Sequence, residues 1–154
     1  MNRKERRAAV ANGKNTASSA PIDIAALVSE ATLAYQQGRF PEVEVICKRV
    51  QARAPAYTAN LNVLGLTYQA TRRHRLAVKT LTAAIALDDL DAACHYNIAC
   101  SYQALEQREA AAAHFKKAIA LGLSGRDVEQ FLMKNAAVVE CIARMTDNER
   151  ARRI

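Results

Sequence analysis

Two consecutive stretches of 34 residues decide the fold of this chain: residues 58–91, TANLNVLGLTYQATRRHRLAVKTLTAAIALDDLD, and residues 92–125, AACHYNIACSYQALEQREAAAAHFKKAIALGLSG. When the two are aligned without gaps, apolar and small residues fall at the same positions. The matching pairs are Leu61 with His95, Leu64 with Ile98, Gly65 with Ala99, Tyr68 with Tyr102, Ala77 with Ala111, Leu81 with Phe115 and Ala84 with Ala118. Residues 24–57 form a third, more degenerate copy. The period predicts a chain built from one repeated structural unit.

Each unit reads as a helix, a turn and a second helix. Positions 4, 7, 8 and 11 lie along one face of a first helix, and positions 20, 24 and 27 along one face of a second, because steps of three and four residues return to the same side. The small residues at positions 8, 20 and 27 allow two helices to approach closely. Gly38, Pro41 and Pro55 mark breaks between helices in the first unit.

These motifs resemble the tetratricopeptide repeat, and the second unit matches its consensus at Leu64, Gly65, Tyr68, Ala77 and Ala84. The resemblance implies an all-α fold, a right-handed superhelix of three helix-turn-helix repeats at about 24–57, 58–91 and 92–125. A looser resemblance rests on the start at residues 2–9 and on the segment 131–145. It is to the repeat-bearing portion of bacterial proteins that continue into a methyltransferase or another transferase domain.

The segment after the third unit predicts one capping helix over about 126–146, with Ser124 as its cap. Its apolar residues form two stripes. We expect the first stripe to cover the exposed side of the third unit, since solenoids need such a lid, and the second to remain for another contact. The first stripe is Val128, Leu132, Ala136, Val139 and Ile142, and the second is Phe131, Val138 and Met145.

The charge of the chain is concentrated at its ends. The formal net charge is +7, of which residues 1–20 carry +4 and residues 147–154 carry +1, which leaves +2 for residues 21–146. We expect a disordered basic tail over 1–20 and a charged tail over 147–154. No apolar run approaches the roughly 20 residues needed to cross a bilayer, and residues 1–20 lack the apolar centre of a secretory signal. A cytoplasmic protein without membrane contact is expected.

The sequence offers no catalytic or metal-binding motif. Cys94, His95 and Cys100 lie close together in sequence, but on a helix the two thiols point in different directions and cannot share an ion. The four cysteines read as small hydrophobic residues, and the acids of 88–91 read as helix caps. We therefore expect no enzyme activity, no cofactor and no metal.

A protein partner is the function that the pattern favours. The first helices of successive repeats line the concave wall of a superhelix, and here that wall is rich in amides, uncharged and aromatic in places. It suits an extended peptide or a helix. The residues predicted to line this groove are Thr32, Tyr35, Gln36, Asn62, Leu66, Gln69, Tyr96, Asn97, Cys100 and Gln103. None is basic, which disfavours capture of chaperone carboxylates.

Three weaker alternatives remain open. A repeat module that recognises the substrate of an associated transferase is the first. Nucleic-acid binding through the basic tail is the second, although no base-reading fold accompanies it. The exposed ends of the solenoid could also drive self-association, and the turn at 72–75 could steer an acidic partner.

Overall fold

The computed structural model describes residues 22–153, which are helical over most of their length. The bounds of the helices are α1 Ile24–Gln36, α2 Phe40–Gln51, α3 Thr58–Ala70, α4 His74–Ile85, α5 Ala92–Ala104, α6 Arg108–Ala120, α7 Arg126–Lys134 and α8 Ala136–Ala151. No strand occurs among these residues. The helices α1, α3 and α5 begin at intervals of 34 residues, at the starts predicted from the repeat.

The first six helices form three antiparallel pairs that stack into a superhelix. Within each pair the two helices pack together, and the second helix of one pair packs against the first helix of the next. The first helices also contact one another, α1 with α3 and α3 with α5. They therefore form one continuous layer and the second helices form the other, as the repeat pattern predicts.

The small residues of the repeat lie where two helices meet. Ala31, Ala77, Ala99 and Ala111 have no exposed surface. Gly65 in α3 shows why the residue must be small: a Cβ atom there would lie 2.5 Å from Cγ of Leu81 in α4, well inside van der Waals contact. Close helix packing therefore sets the size of the residue at this position.

The ends of the helices follow the local chemistry of the chain. Oδ1 of Asp23 accepts from the amide of Ala26 at 3.1 Å, and Oδ1 of Asp91 accepts from that of Cys94 at 2.9 Å, so both acids satisfy free N–H groups at a helix start. The turns between paired helices each contain a residue with positive φ. These are Gly38 at 73°, Arg72 at 59° and Glu106 at 59°.

The end of the chain differs from the prediction. The single helix expected over 126–146 is two helices, α7 and α8, separated at Asn135, whose φ is −133° and ψ 54°. The amide of the Asn135 side chain donates to the carbonyl of Phe131 at 2.7 Å. The residue before α7 is Gly125, with φ 81°, so Ser124 is not the cap. The helix α8 continues to Ala151, through most of the segment expected to be a tail.

Both apolar stripes contact the third repeat. Val128, Leu132 and Ile142 of the first stripe pack against its core, as expected, but Val139 is 36% exposed, whereas Phe131 and Val138 of the second stripe are buried, together with Cys141. The helix α8 packs on α6, in the place that the first helix of another repeat would take. The break at Asn135 changes which side chains face the core, and for that reason an uninterrupted helical pattern did not predict burial of the second stripe.

Every helix between residues 22 and 153 is too short or too polar to cross a membrane.

Candidate functional site

The layer formed by α1, α3 and α5 is the candidate binding surface, and it is here called the inner face. The residues predicted to line the groove all lie on these three helices, and none is fully buried. Gln36 and Gln103 are exposed, and the others are half-buried: Thr32, Tyr35, Asn62, Leu66, Gln69, Tyr96, Asn97 and Cys100. The accessibility of these side chains therefore permits contact with a ligand, but their surroundings differ between repeats.

Two amides of α3 join the second repeat to the third. Nδ2 of Asn62 donates to Oδ2 of Asp91 at 2.9 Å, and Oδ1 of Asn62 lies 3.1 Å from Sγ of Cys94. Nε2 of Gln69 donates to the carbonyl oxygen of Asn97 at 2.7 Å and to the hydroxyl of Ser101 at 3.0 Å. Sequence reasoning assigned these amides to a ligand. The structure uses them to hold α3 against α5.

In the first repeat the polar groups of the inner face are also used locally. The hydroxyl of Thr32 donates to the carbonyl of Val28 in the same helix at 2.8 Å. The ring of Tyr35 lies 5.8 Å from that of Phe40 at the start of α2, and Tyr35 packs against the first core cluster. The side chain of Gln36 next to it has no hydrogen bond within residues 22–153, and it is exposed.

The third repeat contains a hollow of about 300 Å³ between α5 and the segment 130–135. Its lining consists of Tyr96, Cys100 and Gln103 from α5 together with Gln130, Phe131, Lys134 and Asn135. All three α5 residues were predicted as groove residues. The other four were missed, because they approach the groove only as a result of the break at Asn135.

An aromatic cluster fixes one wall of this hollow. Phe131 stacks on Phe115 with ring centroids 4.0 Å apart and an angle of 18° between planes. The ring of Tyr96 lies edge-on to Phe131 at 5.9 Å and 6.2 Å from Phe115. Such pairs stabilise beyond their buried area. The hollow is thus a rigid, half-apolar site with amides at its rim, and Lys134 adds a cation where the sequence predicted none.

Two histidines meet behind the inner face, across α5 and α6. Nδ1 of His95 lies 3.1 Å from Nδ1 of His114, and Nε2 of His95 faces the carbonyl and carboxylate oxygens of Asp89 at 3.2 and 3.3 Å. Both Asp89 atoms are acceptors, so Nε2 of His95 carries a hydrogen. With this tautomer of His95, its Nδ1 accepts and Nδ1 of His114 donates. Burial, and then the neighbouring His95, lower the pKa of His114.

The same cluster is anchored at Asp89. Nζ of Lys117 lies 3.2 Å from Oδ2 of Asp89, and this hydrogen bond, followed by the charge of Lys117, lowers the pKa of the carboxyl group. The sequence placed His114 on a different helix from His95, which is correct, but it did not predict their contact. Positions 4 and 23 of one repeat face each other across the pair, and that pairing was the available signal.

The four cysteines are free thiols. Cys47 and Cys94 are buried and Cys100 is half-buried. Burial raises the pKa of Cys47 to about 11, and burial, with the negative charges of Asp91 and Asp88, raises that of Cys94 to about 12. A high thiol pKa means little thiolate at neutral pH. Residues 22–153 hold no cluster of three or more His, Cys, Asp or Glu able to bind a metal.

The fold and this inner face define an α-helical solenoid, a class whose stacked helix pairs present an extended concave surface. A family model of the tetratricopeptide repeat matches residues 92–121, the third helix pair. The match covers one helix pair, and the two preceding pairs repeat the same 34-residue spacing. The comparison with curated proteins found no match.

Solved structures are similar over more of the chain. A mutant O-GlcNAc transferase of Thermobaculum terrenum is 33% identical with a TM-score of 0.62, over 64% of this chain and 19% of that one. This chain therefore spans about a fifth of the transferase. The first tetratricopeptide domain of RPAP3, bound to an HSP90 peptide, is 14% identical with a TM-score of 0.70, over 76% and 93% of the two chains.

The secretion chaperone SycD of Yersinia enterocolitica, in complex with a peptide of the translocator YopD, is 15% identical. Its TM-score is 0.66, over 80% of this chain and 94% of that one. At such identities the last two structures show a common fold. The transferase region shares both fold and a third of its residues over the aligned part.

Proposed function

We propose that the protein is an interaction scaffold without a catalytic centre of its own, and that its inner face binds a peptide or helix of a partner protein. The observation that supports this most is the hollow beside Tyr96, Cys100 and Gln103. It combines aromatic walls with amides, and such a surface pairs with both the backbone and the apolar side chains of a peptide. The peptide complexes of RPAP3 and SycD support the use of this fold for peptides.

The binding surface on this proposal centres on the third repeat. Asn62 and Gln69 already hold the repeats together, so they shape the groove, while Leu66, Asn97 and Gln103 contact the ligand. The amides at the rim of the hollow donate to and accept from an extended backbone. Lys134 at the edge of the hollow favours a peptide with an acidic residue near that end.

A peptide library displayed on phage tests the proposal. The full chain is the bait, and it is compared with a variant carrying Leu66→Glu and Gln103→Glu. Two charges buried against a peptide backbone without partners should together weaken the binding free energy by roughly several kcal/mol. Peptides enriched on the unaltered chain should bind this variant at least about tenfold more weakly. When such a peptide is added to the unaltered chain, the NMR signals of inner-face backbone amides should shift.

A matched control places the same charges on the outer layer. Thr82→Glu in α4 and Ala113→Glu in α6 alter exposed positions of the second helices, and this variant should bind the selected peptides as the unaltered chain does. Equal binding by the inner-face variant would refute the proposed groove. Equal losses in both variants would mean that charge alone, and not the inner face, governs binding.

A second proposal concerns the context in which the scaffold acts. The identity to the O-GlcNAc transferase region supports a role as the recognition module of a transferase. A purified transferase domain that depends on this chain for modification of a protein substrate would support it. Unchanged modification without the chain would argue against it.

Cytoplasmic location stays a prediction as well.

Binding of nucleic acid through residues 1–20 also stays a prediction, since these residues lie outside those described by the structure. Retention of the chain on DNA or RNA at low salt, lost on removal of residues 1–20, would support it. Absence of retention at low salt would exclude it.

A further inference from the structure

The turns inside the second and third repeats carry opposite charges at equivalent positions. Arg72 and Arg75 lie in the second turn, and Glu106 and Glu109 lie 34 residues further on in the third. All four are exposed, and none forms an ion pair with another residue of 22–153. Their charges therefore face solvent at the turns, along one edge of the solenoid, where Glu106 also borders a hollow beside Gln103 of the inner face.

Neighbouring charges offset this pattern only in part. The guanidinium of Arg73 pairs with Glu44 and lies 4.7 Å above the ring of Tyr68, so it adds little to the exposed charge of the second turn. Arg108, between the two glutamates, lines a separate hollow together with Glu106 and Lys134. With Arg108 counted, the third turn keeps a net charge of −1, from two acids and one base.

An apolar hollow separates the two turns. It measures about 400 Å³ and is lined by the residues of 72–76 together with Leu105, which directly precedes the third turn. Leu76 is 43% exposed, and it and Leu105 give the hollow its apolar character. The order along this edge is therefore basic, apolar, acidic.

We propose that this charged edge, made of Arg72, Arg75, Leu76, Leu105, Glu106 and Glu109, binds a second copy of the chain. A two-fold axis between the two turns, beside Leu105, places the arginines of one copy opposite the glutamates of the other, and the reverse, with the leucines near the axis. A two-fold contact requires such a self-complementary patch. An acidic segment of another protein would use the arginines but leave the glutamates facing acidic residues.

Backbone conformation at the two turns agrees with a role for these charges. Arg72 and Glu106 both have φ of 59°, a conformation in which the first repeat has Gly38. A side chain costs energy in this conformation, and in both turns the residue that bears the cost is an exposed charged one. The edge is small beside the 1,200 to 2,000 Å² that a standard interface buries, so the dimer should be weak and sensitive to salt.

Charge reversal of the full chain tests the proposal by sedimentation velocity at low salt and rising concentration. The unaltered chain should form dimers, and about 0.5 M salt should dissociate them. A variant with Arg72→Glu and Arg75→Glu, and another with Glu106→Arg and Glu109→Arg, should each raise the dissociation constant at least about tenfold. An equimolar mixture of the two variants should dimerise again, because each edge then opposes its complement.

A control variant with Arg49→Glu and Arg53→Glu makes the same change of charge at exposed positions near the far end of α2, and it should dimerise like the unaltered chain. Circular dichroism verifies that every variant is folded. A chain that stays monomeric at millimolar concentration and low salt overturns the proposal. Dimers that persist in both reversed variants overturn it too, and so does a mixture that remains monomeric. Capture of an acidic peptide lost only with the arginines would point to the other occupant.

Discussion

The second and third repeats present equivalent positions on the inner face but use them differently. In the second, the amides of Asn62 and Gln69 bind groups of α5. In the third, Tyr96, Cys100 and Gln103 border a hollow closed on its far side by residues 130–135. The clearest case is one equivalent position: Gln69 is bonded to the next repeat, whereas Gln103 is exposed at the hollow. The same residue type can therefore join repeats in one unit and face a ligand in another.

The largest effect is expected from removing an aromatic ring that closes the hollow of the third repeat. Phe131 is 4% exposed and stacks on Phe115. Phe131→Ala should lower the free energy of unfolding by about 3 to 5 kcal/mol, because it removes a buried ring and leaves a cavity. Chemical denaturation measures the change. Hydrogen exchange should show that α7 and α8 lose protection first.

The neighbouring Met133 supplies the control, since it is 83% exposed. Met133→Ala should change the free energy of unfolding by less than about 0.5 kcal/mol. A loss below about 1 kcal/mol in Phe131→Ala would mean that the segment 126–134 is not docked, and the hollow would lose its far wall.

A somewhat smaller effect is expected at the close helix contact of the second repeat. In Gly65→Ala the new Cβ meets Leu81, whose side chain is fully buried. Overpacking of this kind costs about 1 to 3 kcal/mol, less up to about 1 kcal/mol that alanine gains over glycine in a helix. We expect a net loss on thermal denaturation. Gly65→Ala combined with Leu81→Ala should be less destabilised than the two single changes added together.

The third prediction sharpens the comparison between amides. Gln69→Ala removes two hydrogen bonds between α3 and α5 and should cost about 1 to 2 kcal/mol of stability. Gln103→Ala, at the exposed equivalent position of the third repeat, should change stability by less than about 0.5 kcal/mol. For binding of a selected peptide the order should reverse, with the greater loss in Gln103→Ala. The same order in both measurements would show that the two amides have one role.

The helix pairs followed from the sequence, because a 34-residue period constrains many positions at once. The burial of Gly65 and Ala99 was predictable for the same reason. The ties made by Asn62 and Gln69 were not, since an amide on a helix surface gives the same pattern whether it faces solvent or a neighbouring helix. The break at Asn135 was not predicted, because the helix ends there without a Pro or Gly to mark it. The groove residues themselves stay a prediction.

The smallest expected effect concerns acid sensitivity of the third repeat. The pKa of His114 is lowered below its ordinary 6.5 in the folded protein, by burial and by His95. The unfolded chain then binds this proton more readily, so stability is full above about pH 6.5 and falls as the pH decreases toward the folded pKa. His114→Gln, which keeps a donor toward His95, should flatten the melting temperature between about pH 7 and pH 5.5.

The carboxyl group of Asp89 has a separate range. Its pKa is lowered from an ordinary 3.8 by Lys117 and His95, so its contribution is retained above that value and lost only as the pH falls below it. The two ranges do not overlap, and a loss confined to the higher one belongs to the histidine pair. Protonation of His114 would place a charge in a half-buried position beside His95, at the 3.1 Å contact between α5 and α6. If the melting temperature of His114→Gln depends on pH as that of the unaltered chain does, the histidine pair is not the source of the acid sensitivity of the third repeat.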